Sequence, residues 1–206
     1  LRPGVKWHDG QDFTAADVVY SLSTLKTTHP RGRATNANVD DFGMRDDLTV
    51  VLKLKNPAPY LLNALAGQES PIVPKHIYAG SDPTVNPHNR SPIGTGPFMF
   101  KEWVQKQQCT MTRNPDYKWG SDLFKNKGPA YLDQVIWRFV PESAPRLALL
   151  TTGEAQMITA VPTQNVAAIK SNPSLQFFSA PRTGGPKFID FNTAKAPFDV
   201  LEVRQA

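Results

Sequence analysis

The chain has 206 residues, 40% hydrophobic and 20% charged, an ordinary globular composition with room for one large domain or two small ones. No stretch approaches the roughly 18 consecutive apolar residues of a membrane-spanning helix. The first residues lack the charged, apolar, small-residue order of a secretory signal. A net charge of +5 and a pI of about 9.4 suggest an acidic partner. The lysines and arginines are scattered, however, without a basic run or helix face, which argues against nucleic acid.

The elements read in chain order as follows. Val5 and Trp7 alternate with polar residues and run into Asp9-Gly10, a strand entering a tight turn. Thr14 and Asp17 form a capping box for a helix from Ala15 to about Lys26, with Val18, Leu22 and Leu25 on its buried stripe. Residues 28–47 are polar and patternless and read as a long loop. Leu48 to Lys55 is a strand with Val50, Leu52 and Leu54 on one face. Tyr60 to Ala66 is a short helix with Leu61, Leu62 and Leu65 inward, and a helical turn lies near His76. Residues 80–92, rich in Gly, Ser, Asp, Pro and Asn, are the candidate boundary between subdomains.

Beyond them, "GTGPFMFKEWVQKQQCTMTR" reads as a hairpin with Phe98, Phe100 and Trp103 on one side. "QVIWRFV" is a strand bulky on both faces. "ESAPRLALLTTGE" is a helix capped by Ser143, with Pro145 in its first turn and Gly153 past its end. "AQMITAV", "LQFFSA" and "KFIDFN" read as strands, with a helix over "TQNVAAIKSNP" between the first two. That alternation predicts an α/β layer with crossovers. The 19 prolines predict short elements between many turns.

The chemistry-bearing residues do not converge. His8, His29, His76 and His88 are far apart in sequence, so no metal cage is expected. Cys109 is the sole cysteine and alternates with Met111, the pattern of a packed thiol. No G-x-S-x-G elbow occurs. The Gly94-to-Pro97 stretch "GTGP" lacks the GKS or GKT of a phosphate loop, and Pro97 removes an amide such a loop needs. Asp40-Asp41 and Asp46-Asp47 sit in polar stretches where turn chemistry is the default. A binding module therefore leads. A hydrolase or transferase using loop carboxylates and hydroxyls is the competing class, and no cofactor is implied.

Five stretches stand in a familiar order: "LRPGVKWHDGQDFTAADVVYSL", "PIGTGPFMFKEW", "RNPDYKWG", "YLDQVIWRFVPESAPRLALLTTGE" and "FNTAKAPFDVLEVRQA". Together they resemble the peptide/nickel-type (family 5) extracellular solute-binding proteins of ABC transporters. The resemblance implies an α/β (mixed α+β) fold of the periplasmic-binding-protein type. It implies a fragment that lacks an N-terminal segment and the C-terminal lobe. Residues 1–91 would be the small α+β subdomain of lobe one, and 92–206 part of the main α/β lobe.

It further implies a periplasmic or membrane-tethered receptor without catalytic activity, whose two lobes close on a small solute, most of all a peptide-like one. The closed form would dock on an ABC permease in the inner membrane. Ligand favours closure because only then do both lobes touch it. A single jaw is expected to bind poorly, since the missing second lobe supplies the opposing wall.

Carried over residue by residue, the ligand-facing stretches are Ile158 to Ala160 and Arg182 to Asp190. Thr159 offers a hydroxyl, Arg182 a fork for a carboxylate, Phe188 a stacking face and Asp190 a partner for an ammonium group. Gln68 and Glu69 are further candidates. Gln156 stands where the family carries an acid; its amide keeps an acceptor and adds donors. Peptide, nickel complex, opine and oligosaccharide remain open as ligands.

Overall fold

The computed structural model describes residues 1–67, 70–180 and 189–205. The chain forms two compact units, Leu1–Pro141 and Glu142–Ala206, and residues 80–92 run inside the first.

The first unit opens on the turn that Asp9-Gly10 dictates. Gly10 N–H donates to the Trp7 carbonyl and Trp7 N–H to the Gln11 carbonyl, both at 2.9 Å. Gly10 holds φ +88°, a left-handed value open to glycine without a Cβ clash. The turn folds Phe13 onto Trp7, ring edge to face at 5.5 Å. Helix α1 (Ala15–Thr28) follows. Val18 and Leu22 are buried and Leu25 half-buried, the stripe expected from their spacing. Asp17 makes the returning half of the capping box, its carboxylate accepting Thr14 N–H at 2.9 Å.

Residues 28–47 are not the expected loop. They hold helix α2 (Pro30–Thr35) and strand β1 (Val39–Asp46). Pro30 fits the first helical position, where its missing N–H is not needed, and His29 Nδ1 accepts Gly32 N–H at 3.2 Å as the cap. Strand β1 pairs antiparallel with β2 (Thr49–Leu54), placing Phe42 opposite Leu52 and Met44 opposite Val50. In this two-stranded ribbon most β1 side chains face solvent, which explains their polar, patternless sequence. Val50, Leu52 and Leu54 turn inward as expected.

Helix α3 (Leu61–Leu65) buries Leu61 and half-buries Leu65, but Leu62 is 79% exposed. Residues four apart share a helix face and the next residue does not, so five residues cannot turn three leucines inward.

Helix α4 (Lys75–Tyr78) closes against α1. Ser21 Oγ accepts Val73 N–H at 2.9 Å, and Asp17 Oδ1 accepts Lys75 N–H at 2.8 Å. The opening turn reaches α4 through His76 Nε2, 2.6 Å from Asp9 Oδ2. Burial pushes the Asp9 carboxyl up, but the bonds from His76 and the Gln11 amide, with the His76 charge, outweigh it and leave the group below its ordinary value. A carboxyl depressed by folding contributes stability that is complete above its unfolded value, about 3.9, and lost as pH falls through the lower folded value. His76→Ala is therefore expected to move the Asp9 midpoint upward in a carboxyl NMR titration, and to remove part of the acid sensitivity below about pH 4. An unmoved midpoint would contradict the coupling.

The GTGP stretch is a clamped strand entry. His8 Nδ1 accepts Gly94 N–H at 3.2 Å, and His8 Nε2 lies 3.0 Å from the Gly96 carbonyl. Trp119 Nε1 donates to the Thr95 carbonyl at 2.7 Å. Strands β3 (Phe98–Val104), β4 (Gln108–Arg113) and β5 (Gln134–Arg138) then form an antiparallel sheet in that order. Strict alternation from Phe100 would put Glu102, not Trp103, on its face. A register shift between Phe100 and Glu102 sets Trp103 opposite Cys109, which Trp137 also opposes from β5.

In the second unit, helix α5 (Ser143–Thr151) starts after Glu142, so Ser143 is its first helical residue rather than its cap. Gly153, at φ +79°, turns the chain out of it. Helix α6 (Val166–Ser171) buries Ile169, and helix α7 (Leu201–Gln205) follows Phe198, whose ring lies 4.8 Å from that of Phe191. The expected strands over 155–161, 175–180 and 189–192 are irregular backbone, and Lys187 and Phe188 lie outside the described residues. A strand needs a neighbour for its amides, and these segments pair with none among the described residues. Both sheets described are antiparallel, and the expected crossovers do not form there. The mixture of helices and sheets is the mixed α/β class that the sequence implies.

Candidate functional site

The Ile158-to-Ala160 segment is shaped by the end of α5. Ala155 N–H donates to the Leu149 carbonyl at 2.9 Å, and Gln156 Nε2 to the Gly153 carbonyl at 3.2 Å. Gln156 thus bonds through the donor that its amide has and an acid lacks. Ile158 is half-buried and Thr159 is exposed. Ala160 stands at φ +54°, in the left-handed region, and Arg146 Nη2 from α5 donates to its carbonyl at 3.3 Å. A non-glycine residue there is strained by about 1–2 kcal/mol, and such strain clusters where backbone is positioned for a ligand.

Asp190 is exposed in irregular backbone, next but one before Asn192, whose side chain accepts Ala194 N–H at 3.1 Å. No hydrogen bond joins Thr159 to Asp190. Arg182, Phe188, Gln68 and Glu69 lie outside the described residues.

Of the carboxylates weighed for an enzyme, Asp40 and Asp41 lie in β1, where Asp40 pairs with Lys53 at 3.6 Å, and Asp46 serves a turn. Asp46 Oδ1 accepts Leu48 N–H at 2.9 Å across the β1–β2 turn. That bond and those from Thr49 hold its carboxyl below the ordinary value. Asp82 accepts both the hydroxyl and the amide of Thr84, at 2.7 and 2.8 Å, with the same downward effect. A general acid needs the opposite shift. No group of three or more His, Cys, Asp or Glu able to hold a metal occurs among the described residues.

The first unit also holds a groove of about 230 Å³ between α1 and residues 71–89, lined by Tyr20, Leu25, His29, Val73, Tyr78 and Asn89 among others. Burial, with the neighbouring Tyr20, pushes the Tyr78 hydroxyl up, and it donates to Asn89 Oδ1 at 3.2 Å. Sequence reasoning missed this groove because its walls come from stretches some fifty residues apart, joined by bonds to Asp17 and Ser21 that no local pattern announces.

Comparison with known proteins identifies the scaffold. The family model for bacterial extracellular solute-binding proteins, family 5 Middle, matches residues 1–206. The chain belongs to this solute-binding family. Among its relatives, the glutathione-binding protein GsiB of Pectobacterium atrosepticum is 32% identical over 210 residues, covering 100% of this chain and 38% of the relative. A probable peptide ABC transporter periplasmic-binding protein of Sinorhizobium fredii is also 32% identical, over 213 residues, covering 100% of this chain and 40% of its own length. The chain thus spans about two fifths of the curated relatives it matches.

Among solved structures, the binding protein MoaA of A. tumefaciens, in complex with mannopinic acid, superposes with a TM-score of 0.82 at 27% identity, covering 100% of this chain and 40% of that one. The oligopeptide-binding protein AppA of Bacillus subtilis, in complex with a nonapeptide, gives 0.70 at 30% identity, over 83% of this chain and 33% of that one. A family 5 solute-binding chain thus shares its fold with periplasmic binding proteins. No helix among the described residues is long and apolar enough to cross a membrane.

Proposed function

We infer that this chain is part of the substrate-capture component of an ABC importer, a non-catalytic receptor that encloses a peptide-like solute between two lobes outside the inner membrane. The observation that carries the reading is the family match over the entire chain, with relatives named for peptide and glutathione binding. In the whole protein, residues 1–91 are the small subdomain of lobe one and 92–206 belong to its main lobe. A second lobe of the same protein closes on the solute, and the closed form delivers it to an ABC permease. The hydrolase or transferase reading has no support: the matched family and its named relatives are solute-binding proteins.

Four residues are assigned to the pocket. The strained corner at Ala160 presents Thr159, Arg182 grips a carboxylate of the solute, Phe188 stacks and Asp190 meets an ammonium group. The test is calorimetry on the full-length protein with a panel of short peptides that includes glutathione. At least one member binds, and Arg182→Ala weakens it by about ten- to a hundredfold, the loss of a charge-assisted pair. Unchanged affinity in that variant removes Arg182 from the pocket, and silence across the panel overturns the peptide class.

A further inference from the structure

We propose that His8 is an acid-sensitive latch: its neutral ring fastens the entry of β3 to the opening turn, and a second proton on the ring releases it.

Three bonds join His8 to the entry. Its backbone N–H donates to the Gly94 carbonyl at 2.9 Å. Ring Nδ1 accepts Gly94 N–H at 3.2 Å, and ring Nε2 stands 3.0 Å from the Gly96 carbonyl. The partners fix the roles of the two nitrogens. An amide N–H only donates, so Nδ1 must be bare; a carbonyl only accepts, so Nε2 must carry the proton. The ring is therefore held neutral, in the Nε2–H tautomer. It packs closely against the entry: a Cβ on Gly94 would lie 3.3 Å from His8 Cε1. Turning the ring over would put carbons where both nitrogens bond.

A second proton goes to Nδ1. It makes the acceptor a donor that faces Gly94 N–H, so this bond is lost, while Nε2–H keeps the Gly96 carbonyl. The latch is whole while the imidazole is neutral and opens as pH falls.

The groups around the ring offer the new donor no partner. Residues 94–97 carry no titratable side chain. On the opening turn, the Asp9 carboxylate is taken by Gln11 N–H at 3.2 Å and His76 Nε2 at 2.6 Å, and Lys6 pairs with Asp12 at 2.6 Å. From residues 114–119, neutral side chains reach the entry: Asn114 Nδ2 donates to the Gly96 carbonyl at 3.2 Å and Trp119 Nε1 to the Thr95 carbonyl at 2.7 Å. Asp116 and Lys118 make no bond to the ring among the described residues. The Asn114 and Trp119 bonds do not pass through His8, so acid frees the Gly94 end and leaves 95–97 fastened. All these contacts lie inside the first unit, so none depends on what covers its surface in a longer protein. Nor does the latch rest on the solute proposed above.

Hydrogen exchange of the full-length protein tests the proposal, read by mass spectrometry on the peptide holding Gly94 and corrected for intrinsic rates. Protection there is expected to fall about tenfold between about pH 7.5 and about pH 5. His8→Gln keeps an acceptor and a donor on one planar head that does not titrate, and holds the protection at both pH values. His8→Phe offers neither and is unprotected at both. Nitrogen-15 spectra of the histidine rings, assigned with His8→Gln, give a second readout that stands if His8→Phe fails to fold: at about pH 7.5 the His8 ring shows Nδ1 bare and Nε2 protonated. The proposal is overturned if the parent's protection is equal at the two pH values, or if the ring is the Nδ1–H tautomer. An acid loss as large in His8→Gln assigns the response to another group, such as His76, and overturns it as well.

Discussion

Replacing Asp17 with alanine is expected to reduce the unfolding free energy by about 3–5 kcal/mol, the range for breaking a buried, charged hydrogen-bond hub. Asp17 is only 5% exposed. Its carboxylate accepts Lys75 N–H at 2.8 Å, Thr14 N–H at 2.9 Å and Trp7 Nε1–H at 3.3 Å. These donors belong to the 71–75 segment, the start of α1 and the opening turn, so one side chain ties the chain's first stretch to a segment 58 residues from it. Alanine strips the acceptor from all three and leaves two backbone amides and an indole without it. Asparagine keeps one acceptor oxygen but turns an NH₂ toward the remaining donors, and is expected to lose about half as much. Urea unfolding of the two variants reads the difference. A loss under about 1 kcal/mol for Asp17→Ala would mean that water re-satisfies the donors, and the hub assignment would fail.

The same residue shows where sequence reading succeeds and where it stops. Its local role, closing the start of α1 from three residues inside, follows from the spacing Thr14-x-x-Asp17 and is formed. Its long-range bond to Lys75 has no local signature, because nothing in a capping pattern says which distant amide will arrive. Strands behaved likewise. The Val50, Leu52, Leu54 alternation was legible because β2 buries one face, whereas β1 was not, since its mostly exposed side chains leave no alternation to read. Trp103 reached the face assigned to it only through a bulge that strict period-two counting does not contain. In the last third, β-like composition over 155–161 and 175–180 described what those segments would be with a pairing partner, and none pairs with them here. The candidate pocket rests on family motif rather than on chemistry, because a binding site needs no clustered nucleophile or shifted acid to announce it. Of its four residues, the structure describes Thr159 and Asp190.

Gly32→Ala is expected to destabilise the protein by about 1–3 kcal/mol, against the trend that helix propensity sets. Gly32 lies within α2, and on propensity alone alanine in a helix gains about 1 kcal/mol over glycine. Sterics reverse the sign. A Cβ at this position would meet the Leu25 carbonyl oxygen at 2.6 Å and the Leu25 carbonyl carbon and Cβ at 3.0 Å each. Two of those atoms are α1 backbone, which cannot rotate aside as a side-chain end can.

Relief requires α2 to move off α1. That motion pulls on the His29 Nδ1 cap at 3.2 Å and on the buried Asn36, whose side chain donates to the Gly32 carbonyl at 2.9 Å. The corner "HPRGRAT" therefore needs its glycine for closeness rather than for an unusual dihedral, which is also why it looked like a loop. Gly43→Ala is the matched control: it sits in β1, its nearest neighbour would be the Val51 carbonyl oxygen at 3.8 Å, and stability should change by less than about 0.5 kcal/mol. Thermal unfolding of the pair separates the two causes. A Gly32→Ala protein as stable as the parent would mean that α2 packs farther from Leu25 than the close approach described, and that propensity governs the corner after all.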